Sequence, residues 1–217
     1  MPDTPQLLMF IAAGWLLNLT PGPDVLYIVS CALRSGVRAG IVAALGIVSG
    51  CFVHVFAAAL GVGALLATSA TAFALLKWAG AAYLVWMGVK LLLARGGGSS
   101  IVPVDVKDGP VAVNLWRVYR QGFLTNVLNP KVALFFLAFV PQFIAPGTAD
   151  KVTTFLLLGL LFNVNSLPIN FGYAWLAGWA SLRVGAVQRA MHWMDRAAGV
   201  MFIGFGLRLA MSDNPSR

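Results

Sequence analysis

The sequence predicts an all-α integral membrane protein, with six transmembrane helices arranged as two inverted three-helix repeats and proline breaks in the first and fourth helices. Three observations carry this. Of 217 residues, 59% are hydrophobic and 10% charged, with a mean hydropathy of +0.84. A soluble domain carries roughly 25% charged residues, so this chain cannot cover itself with polar surface. Its apolar runs are about 20 residues long and lack the alternation of barrel strands. Lastly, the first helix of each half carries a polar interruption of similar design.

The apolar segments fall at 6–31, 39–67, 71–94, 117–140, 152–180 and 191–211. The N-terminus has no Lys or Arg, and its apolar run is long and without a cleavage motif, which argues against a removed signal peptide. The first segment is interrupted by Asn18-Leu19-Thr20-Pro21-Gly22-Pro23-Asp24. Proline removes a backbone donor and clashes with the preceding turn, so no helix runs smoothly through this point. Gly36, Gly40, Gly46 and Gly50 mark the second segment for close backbone approach, within one chain rather than at a dimer seam. The run Gly96-Gly97-Gly98-Ser99-Ser100 after the third segment, followed by Asp105, Lys107 and Asp108, reads as a flexible linker. The expected organisation is therefore a first repeat at 1–95, a linker at 96–116 and a second repeat at 117–217.

The fourth segment echoes the first. Gly14 and Asn18 precede the first break, and Gly122 and Asn126 precede Asn129-Pro130-Lys131. An odd-numbered repeat reverses direction on duplication, and inverted pairs place a solute site near the midplane, between discontinuous helices. The fifth segment adds Asn163, Ser166, Asn170 and Tyr173 on one helical face, with Pro168 among them as an expected kink. That stripe lines a pathway or joins helices.

The net charge of +8 comes from 15 Lys and Arg against 7 Asp and no Glu. The basic residues flank the apolar runs, as headgroup anchors rather than a nucleic-acid surface, so the expected partner is the lipid bilayer. Arg34 and Arg38, then Lys90, Arg95, Lys107, Arg117 and Arg120, then Arg183 and Arg189 lie at the odd-numbered loops. Those loops are expected on the cytoplasmic side, with both termini outside. Trp15, Trp78, Trp116, Trp179 and Trp193 suit interfacial belts.

The breaks are where chemistry is expected. A carboxylate at the centre of a membrane helix costs about 2.5–3.5 kcal/mol and marks function by default. Thr20 before Pro21, and Asn129 before Pro130, read as N-caps of helices starting inside the membrane. Such starts present a positive dipole end suited to a carboxylate. Asp24 and Lys131 hold opposite charges at nearly equivalent places. They handle a zwitterion, with Asp24 facing an ammonium or proton and Lys131 a carboxylate, or they form an ion pair linking the halves, or Lys131 snorkels to an interface. The candidate site is Asn18, Pro21, Gly22, Pro23, Asp24, Asn126, Asn129, Pro130, Lys131, Asn163 and Asn170. His54 has no ligand partner at metal spacing and reads as a buried hydrogen-bonding histidine; Asp195 reads as a cap or a partner of Arg196 or Arg189. No zinc signature, P-loop, nucleotide fingerprint or triad is present, so neither an enzyme nor a cofactor is expected.

At these residues the chain resembles the RhtB/LysE family of amino-acid exporters. The resemblance rests on Thr20-Pro21-Gly22-Pro23-Asp24, on Gly122-Phe123-Leu124-Thr125-Asn126-Val127-Leu128-Asn129-Pro130-Lys131, and on Trp193-Met194-Asp195 leading to Gly199 and Phe205-Gly206. It implies a bacterial inner-membrane protein that expels a small amino acid in exchange for protons. The Pro-Gly-Pro-Asp form is closer to the threonine and homoserine branch, which implies a neutral substrate; a homodimer is compatible. The rivals are a transporter of another small solute or metal cation, a membrane thiol-disulfide protein using Cys31 and Cys51, and a scaffold without transport.

Overall fold

The computed structural model describes residues 3–68, 113–144, 148 and 150–179, with single positions between 78 and 93 and between 193 and 211. No strand occurs among the described residues. The linker before residue 113, most of the third segment and much of the sixth, with Arg183, Arg189 and Asp195, lie outside them.

Helix α1, Thr4–Leu19, opens on a capping box in which Asp3 accepts the Gln6 N–H at 2.8 Å. Pro21 and Pro23 then stop it, and the chain restarts as α2, Pro23–Ser35, bent by 53°. Helix α2 ends at Gly36, whose φ of +81° suits glycine alone. Helix α3, Val37–Thr68, follows, and its Val37–Gly61 portion is long and apolar enough to cross a bilayer.

The fourth segment repeats the pattern. Helix α4, Leu115–Val127, stops before Asn129 and Pro130. The chain resumes as α5, Pro130–Leu134, continued by a π-helical turn at Phe135–Phe139 and a 3-10 turn at Val140–Phe143, bent by 47° from α4. Helix α6, Lys151–Trp179, is also long enough to span, and carries Pro168 inside it. Asp150 starts it, accepting the Thr153 N–H at 2.8 Å and its hydroxyl at 2.6 Å. Those bonds hold the Asp150 carboxyl below its usual range.

Apolar residues face both ways, as a bilayer demands. Trp15, Trp78, Trp116, Trp179 and Trp193 are all exposed, as are Leu60 and Leu128. Inside, Phe10, Phe135, Phe136, Phe139, Phe143, Phe155 and Phe162 form a chain of rings with centroids 5.1–6.3 Å apart, filling the space between α1, the α5 segment and α6. Gly14 lets the Phe162 ring approach α1.

Helix α3 meets α4 backbone to backbone. Gly46 lies against the Tyr119 carbonyl, Gly50 against that of Phe123, and Gly122 against that of Ala43. Small residues allow this approach where lipid supplies no hydrophobic drive between helices. Between the third and sixth segments, Gly88 faces Gly199, and Gly206 faces Ala81. Arg196 lies over the Trp193 ring, 5.9 Å from its centroid.

A methyl on Gly50 falls 2.5 Å from the Phe123 carbonyl oxygen, whereas one on Gly61 meets nothing within 4 Å. Gly50→Ala is expected to cost about 1–3 kcal/mol by overpacking. Gly61→Ala should be neutral, or stabilise by roughly 0.5–1 kcal/mol through lost chain entropy. Thermal melting of the two purified variants in one detergent checks the contrast.

Candidate functional site

Asp24 sits in the first turn of α2 and is 8% exposed. Its Oδ2 accepts the Nδ2–H of Asn126 and that of Asn129, each at 2.9 Å. Both donors come from the second half of the chain. Asn129 serves two purposes, because its Oδ1 also accepts the Lys131 backbone N–H at 3.0 Å as the N-cap of α5. The expected cap before Pro130 is therefore in place.

The expected cap before Pro21 is not. Gly22, in extended conformation, is the N-cap of α2, and it offers no side chain. Thr20 turns back instead: its N–H and hydroxyl both donate to the Leu16 carbonyl, at 3.0 and 2.6 Å. Pro21 and Gly22 separate Thr20 from the new helix, and its hydroxyl closes α1 instead of opening α2.

Lys131, 7% exposed, completes that closure. Its Nζ donates to the carbonyls of Leu17 and Thr20, each at 3.0 Å, and the Tyr173 hydroxyl donates to the Leu19 carbonyl at 2.9 Å. The last carbonyls of a helix have no partner within it and carry its negative dipole end. A cation from the other half of the chain and a phenol from α6 supply what α1 cannot. Gly22 makes room for this, since a Cβ there would lie 3.2 Å from the Lys131 Nζ.

Asp24 and Lys131 thus line the same cavity. Asn18 of α1, Asn126 of α4 and the α6 stripe of Asn163, Ser166 and Asn170 complete its polar wall. Pro21, Gly22, Pro23, Asn129 and Pro130 shape the two breaks behind it. The cavity offers about 20 Å³ to the centre of a water-sized sphere, room for about one water molecule or one ammonium group. Among the described residues, three buried side-chain oxygens have no hydrogen-bond partner: Asp24 Oδ1, Asn126 Oδ1 and Asn163 Oδ1.

His54 is half-buried, and its Nε2–H donates to the Asn126 carbonyl at 2.9 Å, which closes the end of α4. Among the described residues, no three His, Cys or Asp side chains gather as metal ligands. Cys31 on α2 and Cys51 on α3 are both free thiols. Sequence reasoning did not place Cys51 at the site, yet it lines the cavity beside Asn163, with Ile47, Val48 and Phe162. These apolar positions carry no signal that separates them from ordinary lipid-facing or packed residues.

Broken helices around a buried carboxylate, in a chain with lipid-facing Trp and Leu, define an integral membrane protein with a polar centre of the kind transporters use. The comparisons agree. The chain belongs to the LysE type translocator family, whose model matches residues 15–213. It is 34% identical to an uncharacterized membrane protein of Vibrio cholerae serotype O1, over 94% of this chain and 95% of the relative. It is 29% identical to the homoserine/homoserine lactone efflux protein of Salmonella typhimurium, over 93% and 94% of the two chains. A leucine efflux protein of Enterobacter sp. is 26% identical, over 93% of each chain. No solved structure matches the chain.

Removing one partner of a buried polar contact leaves the other with its full desolvation cost. Lys131→Met is expected to destabilise by about 3–5 kcal/mol, because it strips a buried charge from its partners. Tyr173→Phe loses one neutral bond and should cost roughly 0.5–1.5 kcal/mol. Denaturant titration of the purified variants ranks them, and equal losses contradict the assignment of Lys131.

Proposed function

We propose that this protein exports small neutral amino acids of the threonine or homoserine type across the bacterial inner membrane, by exchange with protons. The observation that carries the reading is Asp24: a buried carboxylate at the junction of two broken helices, held by Asn126 and Asn129 in the wall of a polar cavity. A carboxylate so placed takes a proton or an ammonium group, one at a time. Membership of the translocator family and the efflux proteins among its relatives support the substrate class.

The similar breaks, bent by 53° and 47°, support reading residues 1–95 and 117–217 as inverted repeats. On this reading, α1–α2 and α4–α5 are the elements that rearrange between two access states. Asp24 takes a proton from outside and releases it inside as substrate leaves. The basic residues of the odd-numbered loops support a cytoplasmic position for those loops and an outside position for both termini. The two carbonyl bonds of Lys131 support its role as the brace between the halves.

Proteoliposomes loaded with radiolabelled L-threonine or L-homoserine test this. Wild-type protein is expected to release label faster when the pH gradient is imposed than when it is absent. Asp24→Asn, at equal protein and with an unchanged melting temperature, should lose the gradient-dependent part by at least about tenfold, the scale of one general acid–base group or less. Undiminished gradient-driven release by Asp24→Asn contradicts the assignment of Asp24.

A further inference from the structure

We infer that the substrate's carboxylate is bound at the open start of α2, by the N–H groups of Asp24 and Val25 and by the Asn170 side chain. Asn170 thereby makes the chain favour free amino acids over their amides and lactones. This rests on the transport reading above and names the chemistry of that same site.

The two breaks are not equivalent. The start of α5 is closed, because Asn129 Oδ1 accepts the Lys131 N–H. The start of α2 has no side-chain cap, since Gly22 stands there and the Thr20 hydroxyl is turned back to α1. The first N–H groups of a helix have no partner within it. Pro23 has no N–H, so those of Asp24 and Val25 are left over, and the bond from the Leu26 N–H to the Gly22 carbonyl begins the ladder. Asp24 and Val25 both line the cavity. Helix α2 runs for 13 residues, enough for its dipole to favour an anion at this end.

A separate observation points to the same ligand. Asn170 is 3% exposed and lines the cavity, yet among the described residues it has no hydrogen-bond partner. Neither atom of its amide is sealed off, unlike the oxygens of Asn126 and Asn163. Those two asparagines also have their donors engaged, Asn126 with Asp24 and Asn163 with the Gly159 carbonyl at 3.0 Å. Asn170 therefore keeps its N–H donors for a guest. Asn18 adds to them: it gives one N–H to the Gly14 carbonyl at 2.8 Å and keeps the other.

Charge favours an anion at the same place. A Cβ on Gly22 would lie 3.2 Å from the Lys131 Nζ, so the ammonium stands beside the start of α2 without leaving the Leu17 and Thr20 carbonyls. Asp24 is the opposing charge. Its Oδ2 is taken by Asn126 and Asn129, and it remains the partner of the substrate's ammonium end. The cavity admits about one water-sized group, the size of one carboxylate oxygen. An amide or a lactone brings a neutral oxygen there, and neutral acceptors form the weaker bonds.

The purified full chain is titrated at about pH 6.5, where the amines are charged, with L-threonine against L-threonine amide and L-homoserine against its lactone. Binding is read as thermal stabilisation, independently of transport. Each acid is expected to half-saturate at a concentration at least about tenfold below that of its neutral partner. Asn170→Leu removes no hydrogen bond within the protein, so without ligand it should melt at or above wild type. It should weaken both acids by about tenfold and change the amide and the lactone by less than about threefold. Asn170→Ser, which keeps one donor, should fall between.

Equal binding of acid and neutral partner by wild type overturns the inference, as does an acid preference that both Asn170 variants retain. An unliganded Asn170→Leu that melts well below wild type also overturns it, because Asn170 then holds the fold and not the substrate. Stabilisation by chloride over gluconate, with no response to any amino acid, overturns it and assigns the start of α2 to an inorganic anion. An acid preference lost in the variants, in a chain that shows no efflux from proteoliposomes, supports this subsite while the transport reading fails. Gradient-driven release of threonine and its amide at equal rates leaves transport standing and rejects the inference.

Discussion

The structure depends on how a helix that ends inside a bilayer disposes of its last carbonyls. Leu17 and Thr20 are buried, and an unsatisfied buried polar group costs several kcal/mol. Here the Lys131 ammonium bonds the carbonyls of Leu17 and Thr20, Tyr173 bonds that of Leu19, and Thr20 bonds that of Leu16. Without those partners α1 could not stop at Leu19. Without that stop, α2 could not begin where it brings Asp24 to the cavity.

The same economy governs the second break. Asn129 caps α5 with one end of its amide and holds Asp24 with the other, while His54 closes the carbonyl of Asn126. Each break is completed by residues from the other half of the chain. The two breaks are thus joined by hydrogen bonds as well as by apolar packing of Leu16 and Leu17 with Val132 and Phe135. The glycine approach of α3 to α4 sets the distance, since Gly50 lies against both the Phe123 carbonyl and the Asn126 Cβ. A larger residue there would push Asn126 away from Asp24.

Much of this site was legible because it is expensive. A carboxylate, a lysine and four asparagines within apolar runs stand out against lipid, and Asp24, Lys131, Asn18, Asn126, Asn163 and Asn170 do line one cavity. Asn129 was legible as a cap, because an amide before a proline has one common use. Thr20 was not: its hydroxyl suits either helix end, and the direction of the chain after Pro21 decides which. Lys131 was read with three alternatives open: a substrate contact, an ion pair between the halves, or snorkelling to an interface. Its bonds go to backbone carbonyls, which no side-chain pattern announces. Cys51, Ile47 and Phe162 reach the cavity wall through the rotation of α3 and α6, which an all-apolar helix does not encode in its own periodicity.

By itself the sequence determined that this chain lives in a membrane, that its first and fourth apolar segments are interrupted, and which costly side chains lie at those interruptions. Composition and proline stereochemistry are local facts and need no neighbours. The tertiary structure decided which oxygen meets which hydrogen. It made Lys131 a closure for α1, and it left one side-chain oxygen each of Asp24, Asn126 and Asn163 buried without a donor. Those assignments depend on how α2, α4 and α6 are turned against one another, and that is set by packing between segments more than a hundred residues apart in the chain.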